Sequence, residues 1–200
     1  MKMTALVLSI LAGASAWASA DEPDPIRNQI EQLERTIPAK KIRRVSIVPV
    51  DKAAEGGDVL IEYIDGSTHR LSTSARAQAA QLAPDGQTFG FDLVAYYVDM
   101  KGDLWISTRA IVLYRQGQRL PFIEPTKQAS VGWAFRSGSN SIMVSAQGTH
   151  GPTYLSLWDV VTGKMQGEAD DIDEAKPRWT QGAPLLFCCS VKTTVSAYTR

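Results

Sequence analysis

Two sets of glycine-containing landmarks recur along the chain. In the first set, a β-prone stretch runs into a glycine, at 61–66, 112–117 and 157–163. In the second set, an apolar residue is soon followed by a glycine, at 82–86, 133–138 and 179–182. Both sets repeat about every 45 to 50 residues, which is the size of a four-stranded sheet unit. The chain is therefore expected to fold as successive copies of one sheet unit.

The segments around these landmarks have the composition of strands. Stretches rich in Val, Ile, Tyr, Phe and Trp are separated by Gly, Pro, Asp and Asn, which is typical of successive antiparallel strands. The pair Asp65-Gly66 is a strong hairpin signal between 59–64 and 68–71. Further segments of this kind are 89–97, 104–107, 110–114, 141–145 and 154–158. We predict an all-β, mainly antiparallel fold of propeller-like repeated β-meanders, with a β-sandwich as the alternative.

The repeats resemble those of TolB-like and WD40-type β-propellers. The resemblance rests on the tight turn at 83–87 and on the stretch 155–164, and it extends over roughly residues 42–190. It implies four-stranded blades, and for TolB-like propellers a role as a protein-docking platform. Two features depart from the family pattern: the Gly-His and Trp-Asp pairing of a full WD40 blade is missing, and the chain holds about three units where closed propellers use four to eight.

An incomplete set of units has a physical consequence. It leaves open strand edges and a sheet face without a neighbouring sheet. We expect the N-terminal helix, a protein partner or self-association to cover them.

The first 20 residues are typical of a cleavable secretory signal peptide. Lys2 precedes an apolar run at 5–12, and Ala18-Ser19-Ala20 supplies small residues for cleavage. The alternative is an N-terminal membrane anchor that is retained in the mature protein. The apolar run is too short to span a membrane, and no unbroken apolar stretch of about 18 residues follows residue 20. We expect an exported protein, periplasmic or secreted, with no transmembrane span in the mature chain.

Residues 21–40 are predicted to form a helix and a linker before the β-propeller-like repeat domain at 41–200. Asp24-Pro25 has the pattern of a helix start. Apolar residues then recur at helical spacing, at Ile26, Ile30, Leu33 and Ile37. The helix is expected to end near Pro38. Because it is short, its apolar stripe must dock on the main body or on a partner.

Charge and cysteine content exclude some classes of function. The chain has 21 basic and 21 acidic residues, which argues against a nucleic-acid-binding surface. The two cysteines, Cys188 and Cys189, are adjacent, so an ordinary structural disulfide between them is not expected. Three hypotheses remain: a redox-active vicinal disulfide, an intermolecular disulfide, and a buried free thiol. We favour the buried thiol, because free cysteine is usually buried.

No spacing of residues identifies a catalytic, cofactor-binding or metal site, so we predict none. His69 follows the Asp65-Gly66 turn and His150 lies at 148–152, and neither belongs to a known local motif. His150 suits a solvent-exposed turn better than a general base on a loop. The densest acidic cluster is predicted to be a solvated loop, because it lacks the residue pattern of a calcium-binding loop. Its members are Glu168, Asp170, Asp171, Asp173 and Glu174. The tryptophans are expected to pack in sheet cores: Trp105, Trp133, Trp158 and Trp179.

These observations favour a non-enzymatic protein. We expect a protein-binding or assembly module of the cell envelope or secreted space, without a cofactor. The alternative is a secreted hydrolase or carbohydrate-binding protein that uses carboxylates at a loop face or His150. The two hypotheses differ in whether His69, His150 and the acidic cluster converge.

Overall fold

The computed structural model describes residues 25–50, 56–74, 76–98, 104–125, 130–147, 152–170 and 177–181. In these ranges a single α-helix, α1 (Pro25–Gln32), precedes the strands, and a short 3-10 helix at Arg178–Thr180 follows them. The strands are β1 (Ile42–Pro49), β2 (Gly57–Tyr63), β3 (Thr68–Leu71), β4 (Ala77–Leu82), β5 (Thr88–Val98), β6 (Leu104–Arg115), β7 (Gln118–Arg119), β8 (Ser130–Phe135), β9 (Ser141–Gln147), β10 (Thr153–Asp159) and β11 (Met165–Asp170). Every strand pairing is antiparallel. The predicted all-β fold with one short N-terminal helix is confirmed.

The strands form three meanders in chain order, which we call the first unit (β1–β3), the second unit (β4–β7) and the third unit (β8–β11). The pair Gly57–Ala77 joins the first two into one seven-stranded sheet, whereas the third is a separate four-stranded sheet. By strand direction, β1–β3 correspond to the last three strands of the other units. Within the described residues, the first unit has no counterpart of β4 and β8.

The glycine landmarks lie at equivalent turns. Gly66, Gly117 and Gly163 stand in the turn before the last strand of each unit, and Gly86 and Gly138 stand between the first two strands of the second and third units. All five have a positive φ, between 63° and 91°, which is a conformation that glycine adopts without steric cost. The remaining landmark glycine, Gly182, lies outside the described residues.

The second unit is buried on both of its faces. Alternate residues of β6 point in opposite directions, as expected for a strand. Val112 and Tyr114 join the first core, which lies between the first and second units, and Ile111 and Leu113 join the second core, which lies against the third unit. Three sheet layers are therefore stacked face to face, with the second unit in the middle.

The face of the first unit that points away from the second unit is polar. Arg44 lies directly opposite Glu62 in the β1–β2 register. On the same face, Nε of Arg70 donates to Oδ2 of Asp58 over 2.9 Å. Such cross-strand pairs of opposite charge suit a sheet face in contact with water.

The N-terminal segment covers the free edge of β7. The nitrogen of Ile37 donates to the carbonyl of Gly117 over 2.8 Å, and that of Arg119 donates to the carbonyl of Arg35 over 2.9 Å. The guanidinium of Arg119 also binds the carbonyl of Leu33 at 2.9 Å, close to the end of α1. Part of the predicted need for an edge partner is thus met by the chain itself.

The predicted apolar stripe is buried, but the helix is shorter than expected. All four of its residues lie in the first core: Ile26, Ile30, Leu33 and Ile37. The helix ends at Gln32, because residues 35–37 are extended and pair with the second unit. Tertiary pairing therefore overrides a pattern that would also have suited one more helical turn.

Two predictions of local structure, one of two strands and one of a loop, need correction. The segments 104–107 and 110–114 form one strand, β6, with an irregularity in its pairing where Val94 and Leu93 face Thr108 and Ala110. Glu168 and Asp170 lie in β11 rather than in a solvated loop. This strand forms because it follows the Gly163 turn and pairs with β10, although its composition is poor for a strand.

Candidate functional site

Five turns lie at one end of the three units. Their residues are 64–67, 84–87, 116–117, 137–140 and 160–164, and we call this end the turn rim. Hydrogen bonds join turns of different units: the nitrogen of Ile42, at the start of β1, donates to the carbonyl of Gly86 over 2.9 Å. The nitrogen of Asp85 likewise donates to Oγ of Ser139 over 3.1 Å. The turn rim is therefore one connected surface.

An aspartate fixes the shape of the first of these turns. Oδ1 of Asp65 accepts bonds from the nitrogen and the hydroxyl of Ser67, at 2.9 and 2.6 Å, and Oδ2 binds Nζ of Lys40 at 2.7 Å. The hydrogen bonds from Lys40 and Ser67 hold the pKa of Asp65 well below its ordinary value. The Asp65 carboxylate accepts the hydrogen bond of the Ser67 backbone nitrogen, as a backbone carbonyl would in a turn.

The equivalent turn of the third unit has the same brace. Oδ1 of Asp159 accepts bonds from the nitrogens of Val161 and Thr162 at 3.1 and 2.7 Å, and from the hydroxyl of Thr162 at 2.8 Å. The bonds from Thr162 lower the pKa of Asp159. Both turns therefore keep an ionised brace at neutral pH.

The second and third units are joined at the turn rim by Arg115. Its Nε donates to Oγ1 of Thr88 at 2.8 Å, and its Nη1 donates to Oδ1 of Asn140 at 3.1 Å. Its Nη2 also binds the carbonyl of Ser139. Burial acts to raise the pKa of Asp85, but hydrogen bonds from Thr88 and Gln87, which follow it in the same turn, and the nearby Arg115 outweigh burial and lower that pKa.

Apolar side chains project from the turn rim. Ile64 is 65% exposed, Val161 is 49% exposed, and Met165, at the start of β11, is 45% exposed. Ile64 and Val161 occupy equivalent turns of the first and third units. The opposite end of the units also has an exposed apolar residue, Val50, at 54%. Ile64, Val161 and Met165 give the turn rim exposed apolar surface that a bound partner would remove from water.

A buried carboxyl group lies between the second and third units. Asp92 of β5 is 4% exposed. Its Oδ1 accepts a hydrogen bond from the indole nitrogen of Trp133, and its Oδ2 accepts one from Thr108 at 3.3 Å. Burial raises the pKa of Asp92 to about 7, although both hydrogen bonds act in the opposite direction. The group is deep in the second core, so its role is to connect the two units.

Glycine at position 90 makes room for the tryptophan. A Cβ atom on Gly90 would lie 3.0 Å from Cη2 of Trp133 and 2.7 Å from Cδ2 of Leu113. The carbonyl of Trp133 accepts a bond from Nε2 of Gln81 at 2.7 Å. Both the backbone carbonyl and the indole nitrogen of Trp133 are therefore hydrogen-bonded to the second unit.

A second polar group lies under the N-terminal segment. Nε2 of His69 is 3.3 Å from Oε2 of Glu34. The buried hydroxyl of Tyr63 has no hydrogen-bond partner within the described residues. Burial, followed by the charges of Asp65 and Glu34, raises the pKa of Tyr63. His69 therefore faces the N-terminal segment.

The residues proposed from the sequence for a catalytic alternative are not brought together in the described part of the chain. His69 lies in the first unit, whereas Glu168 and Asp170 lie in β11 of the third unit, with the second unit between them. His150, the remaining acidic residues 171, 173 and 174, and both cysteines lie outside the described residues.

The tryptophans take different positions. Trp133 and Trp158 pack in the second core, as expected. Trp179 lies in the 3-10 helix beside Gly167 rather than in a strand equivalent to that of Trp133. The side chain of Trp105 lies outside the described residues.

The described ranges carry no feature of a metal centre or of a membrane-spanning helix. They contain no group of three or more His, Cys, Asp or Glu residues that could hold a metal ion. None of their helices has the length and apolar character needed to cross a membrane.

Comparisons with known proteins give distant similarities only. No family model matches the sequence, and no curated protein matches it significantly. Among solved structures, the β-propeller domain of the Trilobed protease from Pyrococcus furiosus, described as having an open velcro topology, is 11% identical with a TM-score of 0.45, over 74% of this chain and 43% of that chain. A eukaryotic initiation factor is 11% identical with a TM-score of 0.29, over 70% and 46%. This chain spans less than half the length of either, and similarity at this level assigns it to no family.

Neither Asp92 nor Arg115 was expected from the sequence to have a special role. A signal for Asp92 was present, because Gly90 and Asp92 interrupt an aromatic and aliphatic strand at positions that share one face. Arg115 had no such signal, since its partners come from two turns that are distant in the sequence, at 85–88 and 139–140.

Proposed function

We propose that this chain is a non-enzymatic binding or assembly module of the cell envelope or secreted space, and that the turn rim is its binding surface. The observation that carries the proposal is the pairing of rigid turns with exposed apolar tips. Asp65 and Asp159 fix the two turns, while Ile64 and Val161 point into solvent. A surface whose backbone is already ordered loses little conformational entropy when a partner binds.

The location of this function follows from the N-terminus. The signal-peptide pattern at 1–20 supports export to a periplasm or to the outside of the cell. We further propose that the three meanders are propeller-type repeats of the TolB-like or WD40 kind. The supporting observation is that Gly66, Gly117 and Gly163 recur in equivalent turns.

The test is a pull-down from envelope extract with the protein lacking residues 1–20. The amount of partner captured should be lower by about tenfold or more with Ile64→Asp and with Val161→Asp than with the wild type, as is typical for anchor residues of an interface. Val50→Asp is the matched control, because Val50 is similarly exposed at the opposite end of the units. Equal capture by all three variants would show that the turn rim is not the binding surface.

A further inference from the structure

Each exposed apolar tip of the turn rim has a lysine beside it. In the first unit, the nitrogen of Ile64 donates to the carbonyl of Lys41 over 3.0 Å, so these residues are neighbours across the strand pair. In the third unit, Val161 and Lys164 belong to one turn, which the bond from the nitrogen of Asp159 to the carbonyl of Lys164 closes at 2.9 Å. Both lysines are exposed. Two separate turns therefore present the same combination of an aliphatic side chain and a cation.

These two lysines have no acidic partner in the described part of the chain. The ion pairs of the described ranges include neither of them. The carboxylates at the turn rim are engaged elsewhere: Asp65 binds Nζ of Lys40 at 2.7 Å, and Asp159 accepts bonds from its own turn. Asp85 lies 4.0 Å from Nη2 of Arg115. Although the whole chain has 21 basic and 21 acidic residues, both tips therefore carry uncompensated positive charge.

The two tips do not form one apolar patch. The second unit lies between the first and the third, and at about 10 Å for each pair of stacked sheets the tips are about 20 Å apart. The turn between them, at 116–117, is polar, and the N-terminal segment crosses it: a Cβ atom on Gly117 would lie 3.1 Å from Cα of Ala39. A protein interface is built around a contiguous apolar centre. A lipid surface is planar and fluid, so separate tips at one end of a molecule can enter it independently.

Both tips are held in position by the protein itself. Asp65 and Asp159 brace their turns with hydrogen bonds to backbone nitrogens. The turn of the third unit also packs closely on the chain after β7, since a Cβ atom on Gly163 would lie 2.9 Å from Cβ of Pro121. The tips are therefore ordered before any contact, which lowers the entropy cost of docking.

We propose that the turn rim docks on a lipid surface with anionic headgroups, where Ile64 and Val161 insert between the headgroups and Lys41 and Lys164 lie beside their phosphates. This proposal rests on the proposed function, because it assigns a partner to the same binding surface. Insertion of apolar groups and attraction of lysine to anionic lipid are the two contributions that bind a protein to a membrane interface. Two short side chains and two charges give reversible binding rather than a permanent anchor.

Sedimentation with lipid vesicles tests the proposal. The described fold starts at Pro25, and the apolar run at 5–12 would itself bind lipid, so the protein used lacks residues 1–20. It is mixed with phosphatidylcholine vesicles that contain about 30% phosphatidylglycerol, and the bound fraction gives a partition coefficient. The coefficient should be about tenfold or more lower with pure phosphatidylcholine, and it should fall at high salt. Equal binding to both kinds of vesicle would overturn the proposal.

Substitution of the lysines tests the role of charge. Lys41→Gln and Lys164→Gln should each lower the partition coefficient about fivefold. Both side chains are exposed and lack an ion pair in the described ranges, so the fold does not depend on them. Arg109→Gln is the control, because this exposed arginine of β6 lies about 20 Å from the rim, beyond the range of screened charges. An equal effect of all three substitutions would overturn the proposal.

Substitution of the apolar tips tests insertion. Ile64→Asp and Val161→Asp should each lower the partition coefficient by about tenfold or more, because a carboxylate enters the interface poorly and repels anionic lipid. Val50→Asp, at the opposite end of the units, should leave it unchanged. Vesicle binding that neither rim substitution weakens would place lipid binding elsewhere and overturn the proposal.

The vesicle and pull-down results together separate this proposal from the proposed function. If the rim variants lose a protein partner but the wild type does not bind anionic vesicles, the rim binds an acidic protein surface, and the lipid proposal is overturned while the proposed function stands. If vesicle binding depends on the rim and all variants capture protein equally, the lipid surface is the partner of the rim.

Discussion

The indole nitrogen of Trp133 donates a hydrogen bond to the carboxyl group of Asp92, across the boundary between the third and second units. The bond lies within the apolar second core, and Gln81 makes a further polar contact there with the carbonyl of Trp133. It satisfies the indole N–H, which would be costly to bury without a partner. It also places an ionisable group where its charge is poorly solvated.

Asp92 should make stability decrease as the pH rises towards neutrality. The pKa of the aspartate is near 4 in the unfolded chain, and burial raises it to about 7 in the folded protein. The folded state therefore holds an extra proton between these values, and the stability linked to it is full below about pH 4 and is lost as the pH rises through about 7.

Asp92→Asn tests this linkage, because the amide keeps an acceptor for Trp133 but cannot ionise. Between pH 4 and pH 8, the wild type should lose about 2 to 4 kcal/mol relative to the variant in urea unfolding. Comparison of the two proteins cancels the contributions of the other carboxyl groups. Parallel stability profiles would contradict the assignment.

The two buried tyrosines of the first core should respond in opposite ways to loss of the hydroxyl group. The hydroxyl of Tyr114 donates to the carbonyl of Glu34, with an oxygen-to-oxygen distance of 2.5 Å, whereas that of Tyr63 has no partner among the described residues. Tyr114→Phe should cost about 1 kcal/mol, and Tyr63→Phe should be neutral or stabilising. Thermal unfolding of both variants measures the difference. An equal loss in both would mean that Tyr63 does have a partner.

Glycine at position 117 allows the N-terminal segment to approach. A Cβ atom there would lie 2.4 Å from the carbonyl oxygen of Ile37, whereas at Gly66 it would meet nothing within 4 Å. Both glycines have a positive φ, so Gly66→Ala is a control for the backbone strain, at about 1 kcal/mol. Gly117→Ala should cost at least about 1 kcal/mol more. It should also increase proteolytic cleavage in 25–40, and an equal effect of both substitutions would contradict the docking.

Arg115 should contribute more to stability than an exposed arginine. Its side chain is largely buried and bonds to groups from both the second and third units. Arg115→Ala leaves these groups without their partner and should cost about 2 to 3 kcal/mol, whereas Arg43→Ala, at an exposed position in β1, should change stability by less than about 0.5 kcal/mol. Urea unfolding compares them. Similar values would show that the bonds at the turn rim are replaced by water without loss.

Local signals in the sequence were sufficient for the repeat and the class of fold. Positive-φ turns require glycine, so the turns before β3, β7 and β11 could be located from Gly66, Gly117 and Gly163. The strands around them follow from β-branched and aromatic residues. Strand β4, with the sequence AQAAQL, carries no such signal, and it is a strand because it pairs with β5.

The candidate site was less accessible from the sequence. Ile64 could be recognised as part of a hairpin, but its exposure depends on the packing of the whole unit. Asp92 and Trp133 are 41 residues apart in the chain, and their contact depends on how two units stack. The position of residues 35–37 along β7 is likewise set by tertiary pairing rather than by local preference.

The outer face of β1–β3 is charged, so the first end of the stack of sheets is polar. A stack of sheets whose two outer faces are both apolar can associate with further copies into open filaments, because each outer face can bind the next molecule. Here the outer face of the first unit carries Arg44, Glu62 and Arg70. A second copy that stacked on this face would have to take these charges out of water, which disfavours end-to-end association of copies.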